Sequence, residues 1–76
     1  MKEILEVMIK NLVDDPEKVS ISEKENEKGT TFEVKVASED MGKVIGRQGK
    51  MAKSIRSVMK AVATKEHKRV NVEFLD

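Results

Sequence analysis

At 76 residues without a cysteine, the chain has room for one domain built on one apolar layer, and it excludes both disulfide stapling and tetrahedral thiolate metal sites. The net charge of +1 says little about partners, but residues 1–42 carry net −5 and residues 43–76 net +6, the footprint of an anionic partner on the C-terminal half. Glutamates interrupt Met1-Lys2-Glu3-Ile4-Leu5-Glu6 where a signal peptide needs an apolar run, and no stretch approaches the roughly 20 apolar residues of a bilayer span, so a cytoplasmic location without membrane insertion is expected.

Residues 3–13 repeat apolar side chains at Ile4, Leu5, Met8, Ile9, Leu12 and Val13, which predicts a helix with one buried stripe, stopped by Asp14-Asp15-Pro16. Val19 and Ile21 alternate with Ser20 and Ser22 as a short strand. Glu23-Lys24-Glu25-Asn26-Glu27-Lys28-Gly29 has no apolar residue and reads as a hairpin connection. Phe32, Val34 and Val36 then face one way and Thr31, Glu33 and Lys35 the other, predicting a central strand with the first antiparallel beside it. Ser38 is placed to cap a short helix whose first turn holds Glu39 and Asp40, whose inward side is Met41, Val44 and Ile45, and which Gly46 ends. After Gly49 a second helix runs through about Lys65: at 100° per residue Met51, Ile55, Val58, Met59 and Val62 share one sector and Lys50, Lys53, Arg56 and Lys60 the opposite one. Val70, Val72 and Phe74 alternate with Asn71 and Glu73 as a third strand. The roughly thirty-residue connection from the second strand favours a parallel, right-handed crossover. The expected fold over residues 1–76 is therefore α+β, ordered helix-strand-strand-helix-helix-strand, with a three-stranded mixed sheet, helices on one face and water on the other.

The stretch Val44-Ile45-Gly46-Arg47-Gln48-Gly49-Lys50 lies where positive charge is no longer offset: Lys43 to Lys60 contains six basic residues and no acid. Bare backbone at Gly46 and Gly49 lets a bulky anion approach, and the start of the following helix presents its amides and positive dipole end. Arg47 offers a planar fork and Lys50 a mobile point charge to phosphate oxygens, while Lys43, Lys53 and Arg56 extend the track. Alone, Gly-x-x-Gly equally suits a tight helix joint whose glycines serve only close packing.

With apolar residues before it, a basic helix after it and strands on either side, the run Ile45-Gly46-Arg47-Gln48-Gly49-Lys50 resembles a KH domain in its bacterial type II arrangement, with an extra helix and strand N-terminal to the core motif. It is closer still to the small stand-alone bacterial KH-domain RNA-binding proteins, and the resemblance covers nearly the whole chain. It implies that Gly46, Arg47, Gln48 and Gly49 clamp the backbone of about four nucleotides of single-stranded RNA, above a groove floored by Val44, Ile45 and Ile55. It further implies a role as RNA chaperone or post-transcriptional regulator, and dimerisation with itself or with a larger KH-containing RNA-binding protein. The chain lacks Trp and Tyr, and Phe32 and Phe74 both fall at inward strand positions, so aromatic stacking platforms are not expected.

Catalysis is not expected: His67 is the sole histidine, at a helix end, with no cysteine and no serine spaced as a nucleophile elbow. Asp14-Asp15 and Glu23-Glu25-Glu27 read as a helix terminus and a solvated loop, so neither a metal site nor a cofactor is expected. The glycine spacing also fits no dinucleotide or phosphate-loop fingerprint. Two alternatives stay open: a double-stranded DNA module presenting the basic helix to a major groove, and a protein-protein adaptor using the first helix and its methionines.

Overall fold

A computed structural model describes residues 1–75. The elements are α1 (Lys2–Leu12), β1 (Ser20–Asn26), β2 (Gly29–Lys35), α2 (Met41–Ile45), α3 (Lys50–Lys65) and β3 (Val70–Leu75), with single 3-10 turns at Pro16–Lys18, Ser38–Asp40 and Arg47–Gly49. The sheet order is β1-β2-β3, with β1 antiparallel and β3 parallel to the central β2. This is the expected mixed sheet, and both connections follow from chain length: two residues link β1 to β2, and two helices link β2 to β3.

Period-two alternation along β2 sends Phe32 and Val34 inward, followed by Val36, and all three are buried. Opposite them sit Leu5 and Ile9 of α1, Val44 of α2, and Ile55 and Met59 of α3, so all three helices share one core against one sheet face. Burying each of these large side chains contributes about 1.5–3 kcal/mol. Val72 lies beside Phe32 in register, which extends the apolar layer across the parallel pair. On the other face Lys35, Asn71 and Glu73 are exposed and Glu33 is half-buried.

Four expectations change. Glu23 to Asn26 is strand: every residue from Ser20 to Asn26 pairs with β2, leaving only Glu27 and Lys28 in the turn. Main-chain pairing holds this segment although its side chains are exposed, and its charges, including Lys24 at 3.1 Å from Glu33, suit an edge strand that must not pair with another chain. Ser38 makes no cap; its hydroxyl donates to Glu39 at 3.1 Å, and Ala37 precedes the turn. The inward row of α3 is Ala52, Ile55, Met59 and Ala63, whereas Val58 is 43 % exposed. The small alanines let α3 lie close to its neighbours, so the buried sector is rotated from the one that side-chain size suggests. Phe74 is only half-buried, with the Arg56 guanidinium over its ring at 5.3 Å from the centroid.

Candidate nucleic-acid interface

The two glycines of the loop between α2 and α3 serve different purposes. Gly46 ends α2, its N–H donating to the Gly42 carbonyl at 2.9 Å, with φ 76° and ψ 176°. That region is essentially closed to residues with a side chain. A Cβ there would lie 2.7 Å from the Met51 Cβ and 2.8 Å from the Met51 amide nitrogen, so glycine lets the end of α2 pack against the first turn of α3. Gly49 has φ 75° and ψ 12°, and nothing lies within 4 Å of where its Cβ would stand. Here the close-packing explanation holds for Gly46 and fails for Gly49, whose bare backbone borders open space.

Between them Arg47 and Gln48 are exposed, and Gln48 adopts a left-handed conformation with φ 56°. Positive φ at three of four loop positions is a strained arrangement for a non-glycine residue such as Gln48. Lys50 and Lys53 follow on the outer face of α3. Arg47, Lys50, Lys53 and Lys60 are exposed and make no ion pair among the described residues. Arg56 belongs to the same row, but its Nε donates to the Val72 carbonyl at 3.0 Å, which ties the guanidinium to β3. A furrow between α3 and β3 continues from there, lined by Arg56, Lys60 and residues 70–73.

Lys43 lies apart from this track. Its ammonium is hydrogen-bonded to Asp14 and stands 3.5 Å from Asp40, which turns it toward the end of α1. Asp40 is 2 % exposed and accepts the backbone N–H groups of Asp14, at 3.2 Å, and Asp15, at 3.0 Å. Burial pushes the Asp40 carboxyl up, but the two N–H donors and Lys43 together outweigh it and hold the pKa below the ordinary aspartate value. The hydrogen bond to Asp14, opposed by burial and joined by attraction to both carboxylates, raises the Lys43 pKa. In sequence Asp40 is only an acid in a helix's first turn; its clasp spans 25 and 26 residues and has no local signal.

Val44 and Ile55 are 0 % and 3 % exposed and belong to the core, so neither offers a surface to a base. Their apolar character reflects the packing of α2 and α3 on the sheet. Ile45 is half-buried. The geometry therefore gathers Gly49, Arg47, Gln48, Lys50 and Lys53 at one exposed corner and adds Lys60 and the β3 side of the furrow. Lys60 already stands in the acid-free basic run of the sequence, whereas the β3 side has no sequence signal because the position of β3 beside α3 is a property of the assembled sheet. Among the described residues no cluster of three or more potential metal ligands is present, and no helix is long and apolar enough to cross a membrane.

The family description KhpA/KhpB, KH domain, matches residues 2–74. The chain belongs to this KH-domain family. It is 56 % identical over 75 residues to RNA-binding protein KhpA of Clostridium acetobutylicum, an alignment covering 99 % of this chain and 100 % of the relative. It is 48 % identical to RNA-binding protein KhpA of Caldanaerobacter subterraneus over the same share of each, and 41 % identical to that of Listeria monocytogenes over the full length of both. No solved structure gives a significant match. For a KH domain the mixed sheet, the helices on one face and the Gly46 to Gly49 loop at the α2–α3 joint are the defining parts, and all are in place.

Proposed function

We propose that this KH domain binds single-stranded RNA, its loop from Gly46 to Gly49 receiving the sugar-phosphate backbone and the cations of α3 neutralising it. The observation that carries the reading is the open backbone at Gly49 beside Arg47, Lys50 and Lys53, none of which is engaged by an acid among the described residues. KH loops of this form clamp about four backbone nucleotides. Base recognition then falls to hydrogen-bonding groups along the α3–β3 furrow, since Phe32 is buried and Phe74 is covered by Arg56. The names of the relatives support RNA as the ligand. We extend this to a cytoplasmic, non-enzymatic role as an RNA chaperone or post-transcriptional regulator, exercised by one domain spanning the chain.

The test is binding of purified protein to single-stranded RNA, duplex RNA and duplex DNA across a salt series, repeated with Gly49→Asp. Aspartate tolerates the left-handed conformation better than most residues, so this variant places a negative charge at the loop while the fold persists. Position 46 is a poor probe because any side chain there strikes Met51. Salt-dependent binding that prefers single-stranded RNA, and that is lost in Gly49→Asp with unchanged far-ultraviolet circular dichroism, is the expected result. Undiminished binding by the variant refutes the loop assignment, and preference for duplex DNA favours the groove-reading alternative.

A second reading, partner binding, rests on a separate observation. Ile4, Val7 and Val58 are exposed, and Met8, Leu12, Met51 and Val58 line an apolar groove between α1 and α3. Pairing with a second copy or with a larger KH-containing protein would cover it. Sedimentation of the wild type and Val58→Glu tests this: a concentration-dependent dimer lost in the variant supports pairing with itself, and a monomer throughout refutes that part.

A further inference from the structure

Of the cations in the acid-free run from Lys43 to Lys60, Lys43 alone is held by acids among the described residues. The two acids that hold it differ in kind. Asp40 is buried, and each of its oxygens has a backbone donor of its own, the Asp14 N–H on Oδ1 and the Asp15 N–H on Oδ2. Asp14 lies just past the end of α1, at the negative pole of that helix, where a carboxylate is disfavoured, and its carboxylate has no partner among the described residues other than the Lys43 ammonium.

The fold does not depend on that pair. Without the ammonium both Asp40 oxygens keep their N–H donors, so no buried charge is orphaned, and the side chains of Asp14 and Lys43 are 83 % and 42 % exposed. Lys43 also stands close to the loop. The hydrogen bond from the Gly46 N–H to the Gly42 carbonyl continues α2 up to the first loop glycine, which puts Lys43 one turn away, roughly 4.5 Å along the axis. Helical side chains lean toward the N-terminal end of their helix, here the side where Asp14 takes the ammonium, but a flexible four-carbon stem spans one turn in either direction. A carboxylate oxygen of the chain therefore occupies the donor that a phosphate oxygen on the loop would otherwise take.

We infer that Asp14 is an autoinhibitory competitor for Lys43: in the free protein it holds the ammonium off the Gly46–Gly49 loop, and a phosphate seated on the loop displaces it to gain Lys43 as a further backbone contact. The inference rests on the loop reading above and adds to it a residue that sets how tightly the strand is held. An exposed ion pair is worth at most about fivefold in an equilibrium constant, so Asp14 tunes affinity and does not switch it off.

The test titrates single-stranded RNA of randomised sequence, at low and high salt, against the wild type, Asp14→Asn, Lys43→Gln, the double variant Asp14→Asn with Lys43→Gln, and Gly49→Asp. Asparagine at position 14 keeps the backbone N–H that Asp40 accepts, and circular dichroism and thermal midpoints verify that every variant is folded. Asp14→Asn should bind RNA about two- to fivefold more tightly than the wild type at low salt, with a smaller gain at high salt. In the Lys43→Gln background the same substitution should give no gain, because the contact it releases no longer exists. A carboxylate that merely repelled RNA through space would give the same gain with or without Lys43, and that result overturns the inference, as does unchanged affinity in Asp14→Asn while Gly49→Asp still loses binding. Retention of RNA by Gly49→Asp overturns the loop reading, and the competition with it.

Discussion

Alanine at Gly46 should cost far more stability than alanine at Gly49, although the two residues belong to one motif and have φ values of 76° and 75°. At Gly46 the ψ of 176° lies in the region reserved for glycine, where a side chain costs about 1–3 kcal/mol. The added methyl would also stand 2.7 Å from the Met51 Cβ, an overlap relieved only by shifting the start of α3, at a further cost of about 1–3 kcal/mol. The sum, roughly 2–6 kcal/mol, is a large share of the roughly 4–11 kcal/mol expected for the whole chain. At Gly49 the new methyl meets no atom, and only the left-handed conformation opposes it, at about 1–2 kcal/mol. Reduced freedom of the unfolded chain returns about 0.4–1 kcal/mol at either site. Urea unfolding followed by far-ultraviolet circular dichroism checks this, provided the slope with denaturant stays constant. Gly46→Ala should lose about 2.5 kcal/mol more than Gly49→Ala, the difference between the midpoints of the two ranges. Equal losses, or the reverse order, would refute the division of the motif into one packing glycine and one open glycine.

Ile55→Ala should destabilise by about 2–5 kcal/mol by opening a cavity under α3, with RNA affinity per folded molecule unchanged; weaker binding by a fully folded variant would return Ile55 to the binding surface. Arg56→Lys, which loses the Nε bond to Val72 and the guanidinium contact over the Phe74 ring, should cost about 1–2 kcal/mol in urea unfolding, and a neutral result would mean that Arg56 is not anchored to β3. The folded-state pKa of Asp40 lies below its unfolded value of about 3.9, so the unfolded chain takes up the proton first. The stabilisation is therefore complete above that value and is lost as pH falls through the folded-state pKa. Thermal midpoints measured from pH 7 down to pH 2 should fall less steeply in Asp40→Asn than in the wild type, and parallel curves would remove Asp40 as a source of acid sensitivity.

Much of the architecture could be read along the chain. Alternation at Phe32, Val34 and Val36, helical periodicity after Gly49, and the breaks at Pro16 and Gly46 depend on neighbours no more than about four residues away, and the strand pairing followed from the lengths of the connections. The position of the loop was equally legible, because glycine spacing and a run of uncompensated cations are properties of the linear sequence. What each residue does there was not. Gly46 and Gly49 are the same residue type, and only the approach of Met51 separates them. Lys43 looks as free as Lys50 until Asp14, 29 residues earlier in the chain, joins the neighbouring Asp40 against it. Backbone preference and hydrophobic period are local and survive in one dimension; the pairing of charges and the opening or filling of space beside a glycine depend on which surfaces the folded core brings together, and those exist only once α1, α3 and the hairpin have packed on the sheet.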